Sequence, residues 1–197
     1  MTPWEHHSAL TRDRLIVIAQ LIQHGRNNAL DRFDSDFGCT GWTLGCEAFA
    51  FQQHQIVKAA EDIDWLEILN PTMQFVFSIG GVPARFYRGE PEDPNERTLR
   101  QTFTELQQLS LFGDEELVTL AAEPLYRFAV ETDLDGSTTA ITFVVLGGEM
   151  PVLTWSIPLD EPVTKISPLW VESSDGVELP APSVGIPTKR KKDGTSD

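Results

Sequence analysis

The chain has 197 residues, of which 41% are hydrophobic and 23% are charged, and 30 acidic residues against 15 basic ones give it a net charge of −15. A chain of this length and composition can bury one core without disulfides or metals, so we predict a folded domain. The negative charge argues against direct nucleic-acid binding by the body, because such binding depends on Lys and Arg neutralising phosphates.

Secretion and membrane insertion are also disfavoured by the sequence. The N-terminal residues lack a basic segment followed by an apolar stretch, and no apolar run reaches the roughly 18 residues that span a bilayer. Two cysteines, Cys39 and Cys46, are too few for a disulfide scaffold and fit a reducing compartment. We therefore predict a cytoplasmic protein without membrane contact.

The first third of the chain has the periodicity of helices. Apolar residues recur at steps of three and four between Leu10 and Asp31, which predicts an amphipathic helix with a break or bend at Gly25. A second helix is predicted from Trp42 or Thr43 to Ala60. A short helical turn is expected within residues 62–70, before Pro71.

After Met73 the apolar period changes from helical spacing to alternation, which is typical of strands. Gly80 and Gly81 form a hairpin signal, and Pro83 is expected at an edge or at the start of a strand, because proline donates no ladder hydrogen bond. Asp135-Gly136 is a second turn signal. The predicted strands are Met73–Ile79, Val82–Arg88, Leu125–Thr132, Thr138–Leu146 and Val152–Ile157, with one helix inserted between Asp93 or Asn95 and Phe112.

These elements predict an α+β fold in which N-terminal helices pack on an antiparallel sheet of about five strands with one inserted helix. Residues 1–170 are assigned to this single domain. Residues 171–197 are predicted to form a flexible, proline-containing tail, because they hold little apolar surface to offset the entropy of ordering. The tail carries the basic run Lys189, Arg190, Lys191 and Lys192.

The segment from Asp34 to Cys46 crowds acids, glycines, thiols and Trp42 between the two helices. One interpretation is a site for a metal- or thiol-dependent hydrolase or nuclease, with His54 as a further ligand or base. The spacing lacks a Cys-x-x-Cys pair, so we favour the alternative of small core cysteines, close helix packing at Gly45 and a core-capping Trp42. No metal or cofactor is expected.

Arg85 and Arg88, with Arg97 and Arg100, form a local basic cluster that also contains Phe86 and Tyr87. Such a cluster is the best candidate for an anion-facing surface in this acidic chain. We favour ion pairing with the neighbouring acids Glu90, Glu92, Asp93 and Glu96 as the simpler interpretation.

The chain has no glycine-rich phosphate loop, nucleophile elbow, zinc-protease helix or zinc knuckle. We therefore predict a non-enzymatic acidic interaction module, acting as an accessory, inhibitory or immunity-type subunit. Its partner would be another protein, of basic or nucleic-acid-binding character. The candidate partner-binding residues are Trp42, Arg85, Arg88, Lys189, Arg190, Lys191 and Lys192. A third hypothesis, a scaffold subunit, predicts an exposed apolar patch or an unpaired sheet edge, for example along Val82–Arg88 or Val152–Ile157.

Overall fold

The computed structural model describes residues 1–94, 98, 124–148 and 150–161. Apart from its predicted cap region and Thr98, the predicted inserted helix lies outside these residues, and so does the predicted tail. The helices are α1 (Pro3–His6), α2 (Arg12–Asp31), a 3-10 helix (Ser35–Phe37) and α3 (Gly41–Ala60). The strands are β1 (Leu66–Asn70), β2 (Val76–Ile79), β3 (Val82–Arg88), β4 (Leu125–Thr132), β5 (Thr138–Gly147) and β6 (Met150–Ser156). Helices followed by a sheet confirm the predicted α+β class.

The two long helices begin at threonine caps. The Thr11 hydroxyl accepts a hydrogen bond from the Arg14 amide, and the Thr40 hydroxyl accepts one from the Thr43 amide. The predicted bounds of both helices are confirmed to within two residues. The predicted break at Gly25 is wrong, because α2 continues through it and packs against α3 at this point.

All six strands form one sheet in the order β1-β2-β3-β4-β5-β6. Neighbouring strands are antiparallel except for β3 and β4, which are parallel. The sheet is therefore mixed, whereas we predicted an antiparallel one. The structure has one strand more than the five that we predicted. The additional strand is β1, which lies where we predicted a helical turn before Pro71. Pairing with β2 and burial of Leu66 stabilise this segment as a strand, and neither is visible in local propensity.

Both predicted hairpin turns are present. Gly80 and Gly81 have φ of 58° and 91°, the left-handed pair that a tight hairpin requires, and Gly136 has φ of 93° in the turn between β4 and β5. Pro83 is the second residue of β3, as expected for a residue near the start of a strand. β3 lies inside the sheet, so the edge that we considered at Val82–Arg88 is wrong for its first half, which pairs with β2.

The main core lies between α2, α3 and one face of the sheet. The opposite face of β4 and β5 is buried as well, around Leu125, Ala129, Val144 and Leu146. Within the described residues, no helix is long and apolar enough to cross a membrane.

The two tyrosines of the chain provide a test of this burial. Burial raises the pKa of both Tyr87 and Tyr126 to about 12, with nearby Glu131 and Asp93 adding to the shift at Tyr87 against the influence of Arg127. A raised folded-state pKa contributes stability that is fully present below the ordinary value of 10.0 and is lost as pH rises toward 12.

We therefore expect little phenolate absorbance from the folded protein at pH 10, and a free energy of unfolding that falls between pH 10 and 12. Absorbance titration with parallel denaturant unfolding measures both quantities. Ionisation of both phenols near pH 10 while the fold persists would contradict the burial of these side chains.

Candidate functional site

Four exposed apolar side chains lie in the region where α2 ends, α3 begins and the β4–β5 turn packs against both helices. Trp42 is 76% exposed and Phe37 is 89% exposed, and Phe33 and Leu134 are exposed too. The β4–β5 turn contacts both helices here, since Gly136 lies beside Leu30 of α2 and Leu44 of α3. We call the surface formed by residues 31–42 and 133–137 the acidic aromatic end.

The prediction that Trp42 caps the core is wrong, whereas its assignment to partner binding stays a prediction. Trp65 and Trp155 are both partly buried. Trp65 lies under the Arg14 guanidinium at 5.2 Å, and Trp155 contacts Trp4 edge-on at 5.4 Å. Of the tryptophans that the structure describes, Trp42 alone is mostly exposed.

Local hydrogen bonds hold this end in a defined conformation. The Asp34 carboxylate accepts from the Asp36 amide at 2.8 Å and caps the 3-10 helix, which ends at Gly38 with φ of 85°. The Cys39 amide then donates to the Asp34 carbonyl, and Thr40 begins α3. Phe37 is therefore presented by the capped 3-10 helix and Trp42 by the first turn of α3, and neither lies on a long loop.

Negative charge surrounds these aromatic side chains. Five aspartates lie at the acidic aromatic end against one basic residue, Arg32, whose guanidinium lies over the Phe51 ring. A hydrogen bond from Asp133, with further ones from Ser137, lowers the pKa of Asp135 to about 2, and the same pairing raises the pKa of Asp133. The aspartates are Asp31, Asp34, Asp36, Asp133 and Asp135.

The predicted basic cluster lies elsewhere, along the second half of β3. Arg85 is half-buried and Arg88 is exposed, and both line a cleft beside α3. Arg88 forms no ion pair with Glu90, Glu92 or Asp93, so this part of the predicted network is wrong within the described residues. The predicted contributors Arg97, Arg100 and Glu96 lie outside these residues.

Two further arginines of the cleft, Arg26 and Arg127, did not emerge from the sequence as site residues. They are 2% and 1% exposed, respectively. Arg127 donates from Nε to the Thr98 carbonyl and from Nη1 to the Tyr126 carbonyl, both at 3.0 Å. Their positions in the sequence could have indicated that they are buried. Arg26 falls on the apolar stripe of its helix, and Arg127 interrupts an otherwise apolar strand.

The Asp34–Cys46 segment does not bring its thiols and His54 together. Cys46 and His54 are both exposed on α3, eight residues or about 12 Å apart along the helix axis. Cys46 is thus not the core residue that we expected, and Cys39 is only partly buried. Among the described residues, no atom of another element lies within 4 Å of the β-carbon position at Gly45. In the described part of the chain, no group of three or more His, Cys, Asp or Glu side chains is placed to hold a metal ion.

The basic run Lys189, Arg190, Lys191 and Lys192 lies outside the described residues, so its assignment to partner binding stays a prediction. Comparison of the chain with protein-family models, with curated proteins and with solved structures finds no match.

Proposed function

We propose that this chain is a non-enzymatic interaction module that binds a basic protein through its acidic aromatic end. The observation that carries the proposal is the exposure of Phe37 on the capped 3-10 helix and of Trp42 on the first turn of α3, among five aspartates. Single exposed apolar side chains are ordinary on protein surfaces. Two large exposed aromatic side chains close together, on a backbone held by local hydrogen bonds, are less common.

The chemistry of this end favours a basic protein as the partner. Aromatic side chains at the centre of an interface contribute much of the binding energy, and charges around them steer the encounter and set its specificity. Asp133 and Asp135 are held close together, and Lys or Arg side chains of a partner would offset their repulsion. In this proposal the partner carries the activity that is regulated, and this chain is its accessory, inhibitory or immunity-type subunit.

The proposal predicts that replacing the two aromatic side chains strongly reduces partner capture. A tagged chain carrying Phe37→Ala and Trp42→Ala should bind the partner from lysate of the source cell about thirtyfold or more weakly than the wild type, because hot-spot truncations typically cost about 2 kcal/mol or more. The matched control carries Met73→Ala and Val152→Ala, which remove exposed apolar side chains outside this end. Quantitative mass spectrometry of crosslinked, tag-purified samples measures the recovery.

A second pair of substitutions tests the charge. Asp34→Asn with Asp36→Asn keeps a side-chain oxygen for the helix cap while removing two charges, so recovery should fall and its dependence on salt should weaken. Equal recovery by the wild type and the aromatic double variant would refute the proposal. Substrate turnover by a purified chain that captures no partner would refute it as well.

A further inference from the structure

A cleft lies between α3 and the second half of β3, and its position follows from the strand pairing. β2 pairs with β3 only as far as Ala84, whereas β4 pairs with β3 from Ala84 onward. Residues 85–88 therefore have β4 on one side and no β2 on the other. The space beside them consists of two adjoining cavities of about 270 and 190 Å³, which share Phe49, Phe86, Tyr87 and Arg88.

Four guanidinium groups line this cleft. Arg85 and Arg127 line the larger cavity, Arg26 lines the smaller one, and Arg88 lines both. The parallel register places Arg85 beside Arg127 and Arg88 beside Val130. Arg85 and Arg88 are three residues apart in β3, so their side chains lie on opposite faces of the sheet. This concentration of positive charge is found in a chain whose net charge is −15.

Arg26 is the most informative of the four. Its Nε donates to the Gly136 carbonyl at 2.5 Å, but its buried Nη2 has no hydrogen-bond partner within the described residues. Burial and then the nearby charge of Arg88 lower the pKa of Arg26, and the charge of Asp133 acts in the opposite direction. Neither Arg26 nor Arg88 forms an ion pair in the part of the chain that the structure describes. Burying a charge is costly unless it is paired, so a bound anion would stabilise this arrangement.

We propose that the cleft binds a small organic oxyanion, a carboxylate or a phosphate, that carries a flat aromatic group. The oxyanion accepts hydrogen bonds from Arg26 and Arg88, because planar guanidinium donors match both carboxylate and phosphate geometry. The aromatic group lies against Phe49 and Phe86, whose rings are 5.5 Å apart. Together the two cavities reach the range of about 300–1,000 Å³ that is usual for small-molecule sites.

Titration calorimetry with three probes separates the contributions to binding. Inorganic phosphate supplies the oxyanion alone, benzoate adds a ring to a carboxylate, and adenosine monophosphate adds a larger ring system to a phosphate. We expect saturable one-to-one binding in which a probe carrying both groups binds more tightly than inorganic phosphate. Benzoate and adenosine monophosphate distinguish a carboxylate site from a phosphate site.

Arginine substitutions then locate the site. Arg88→Gln and Arg26→Gln should each weaken binding about tenfold or more, which corresponds to about 1.4 kcal/mol. Arg12→Gln is the matched control, since it removes the same charge from the surface ion pair at the far end of α2 and should leave affinity unchanged. Circular dichroism establishes that each variant is folded, and if Arg26→Gln unfolds, the exposed Arg88 decides the result.

The proposal is overturned if none of the three probes binds saturably at millimolar concentration. It is also overturned if Arg88→Gln binds as tightly as the wild type, or if Arg12→Gln weakens binding to the same extent. The Phe37→Ala and Trp42→Ala variant should retain full affinity for the anion. Its behaviour separates this site from the acidic aromatic end.

Discussion

Gly25→Ala should destabilise the protein by about 3 kcal/mol and lower Tm by roughly 6–12 °C, although alanine is the better helix former. A β-carbon at position 25 would lie 2.5 Å from both the α-carbon and the amide nitrogen of Gln52. Both atoms belong to the backbone of α3, so no side-chain rotation can relieve the overlap. The two helices would have to separate, and the contacts between them would weaken.

Gly45→Ala is the matched control, because it introduces the same methyl group into the other long helix. In the part of the chain that the structure describes, no atom of a neighbouring element lies within 4 Å of the β-carbon position at Gly45. We expect a gain of about 1 kcal/mol from helix propensity. Urea unfolding with an unchanged m-value measures both effects. A stabilising Gly25→Ala would mean that α2 and α3 are not packed as closely as described.

These two glycines also show what sequence patterns can predict. Apolar periodicity located α2 and α3 to within two residues because it records which face of a helix is buried. It does not record how close the neighbouring helix comes. We therefore predicted a break or bend at Gly25 and close packing at Gly45, whereas the structure has an unbroken helix and the close helix contact at Gly25.

The sheet shows the same division between local and long-range information. Turn signals at Gly80, Gly81 and Gly136 fixed the two hairpins correctly, because each depends on a few adjacent residues. The parallel pairing of β3 with β4 depends on how a connection of more than 30 residues returns to the sheet, which strand patterns do not encode. The short β1 was missed because its pairing with β2 outweighs its weak local preference.

The candidate sites were predicted only in part. Trp42, Arg85 and Arg88 were identified from residue type, and the structure places the first at the acidic aromatic end and the other two in the cleft. Arg26 was missed because it is distant from Arg85 and Arg88 in the sequence. Arg127 was missed because it lies within an apolar strand. Only the fold brings these four guanidinium groups to one cleft.

Phe128→Ala should cost about 3–5 kcal/mol, because a fully buried ring is replaced by a cavity. Phe128 lies in β4, at the parallel junction where the β1–β3 half of the sheet meets the β4–β6 half. Its ring centroid is 5.1 Å from that of Phe143 in β5 and 6.0 Å from that of Phe77 in β2. The small Ala84 lies opposite Phe77 in β3, which allows the rings to meet across that strand.

The loss should exceed that of other aromatic truncations, because Phe128 connects both halves of the sheet through side-chain contacts as well as backbone pairing. We expect a fall in Tm of roughly 6–20 °C for Phe128→Ala. Phe37→Ala removes the same atoms from a side chain that is 89% exposed, so its effect should remain within about 0.5 kcal/mol. Calorimetry and urea unfolding of the two variants measure the difference. Similar losses from both substitutions would show that Phe37 is buried in solution, and would remove the exposed aromatic surface on which the proposed partner binding depends.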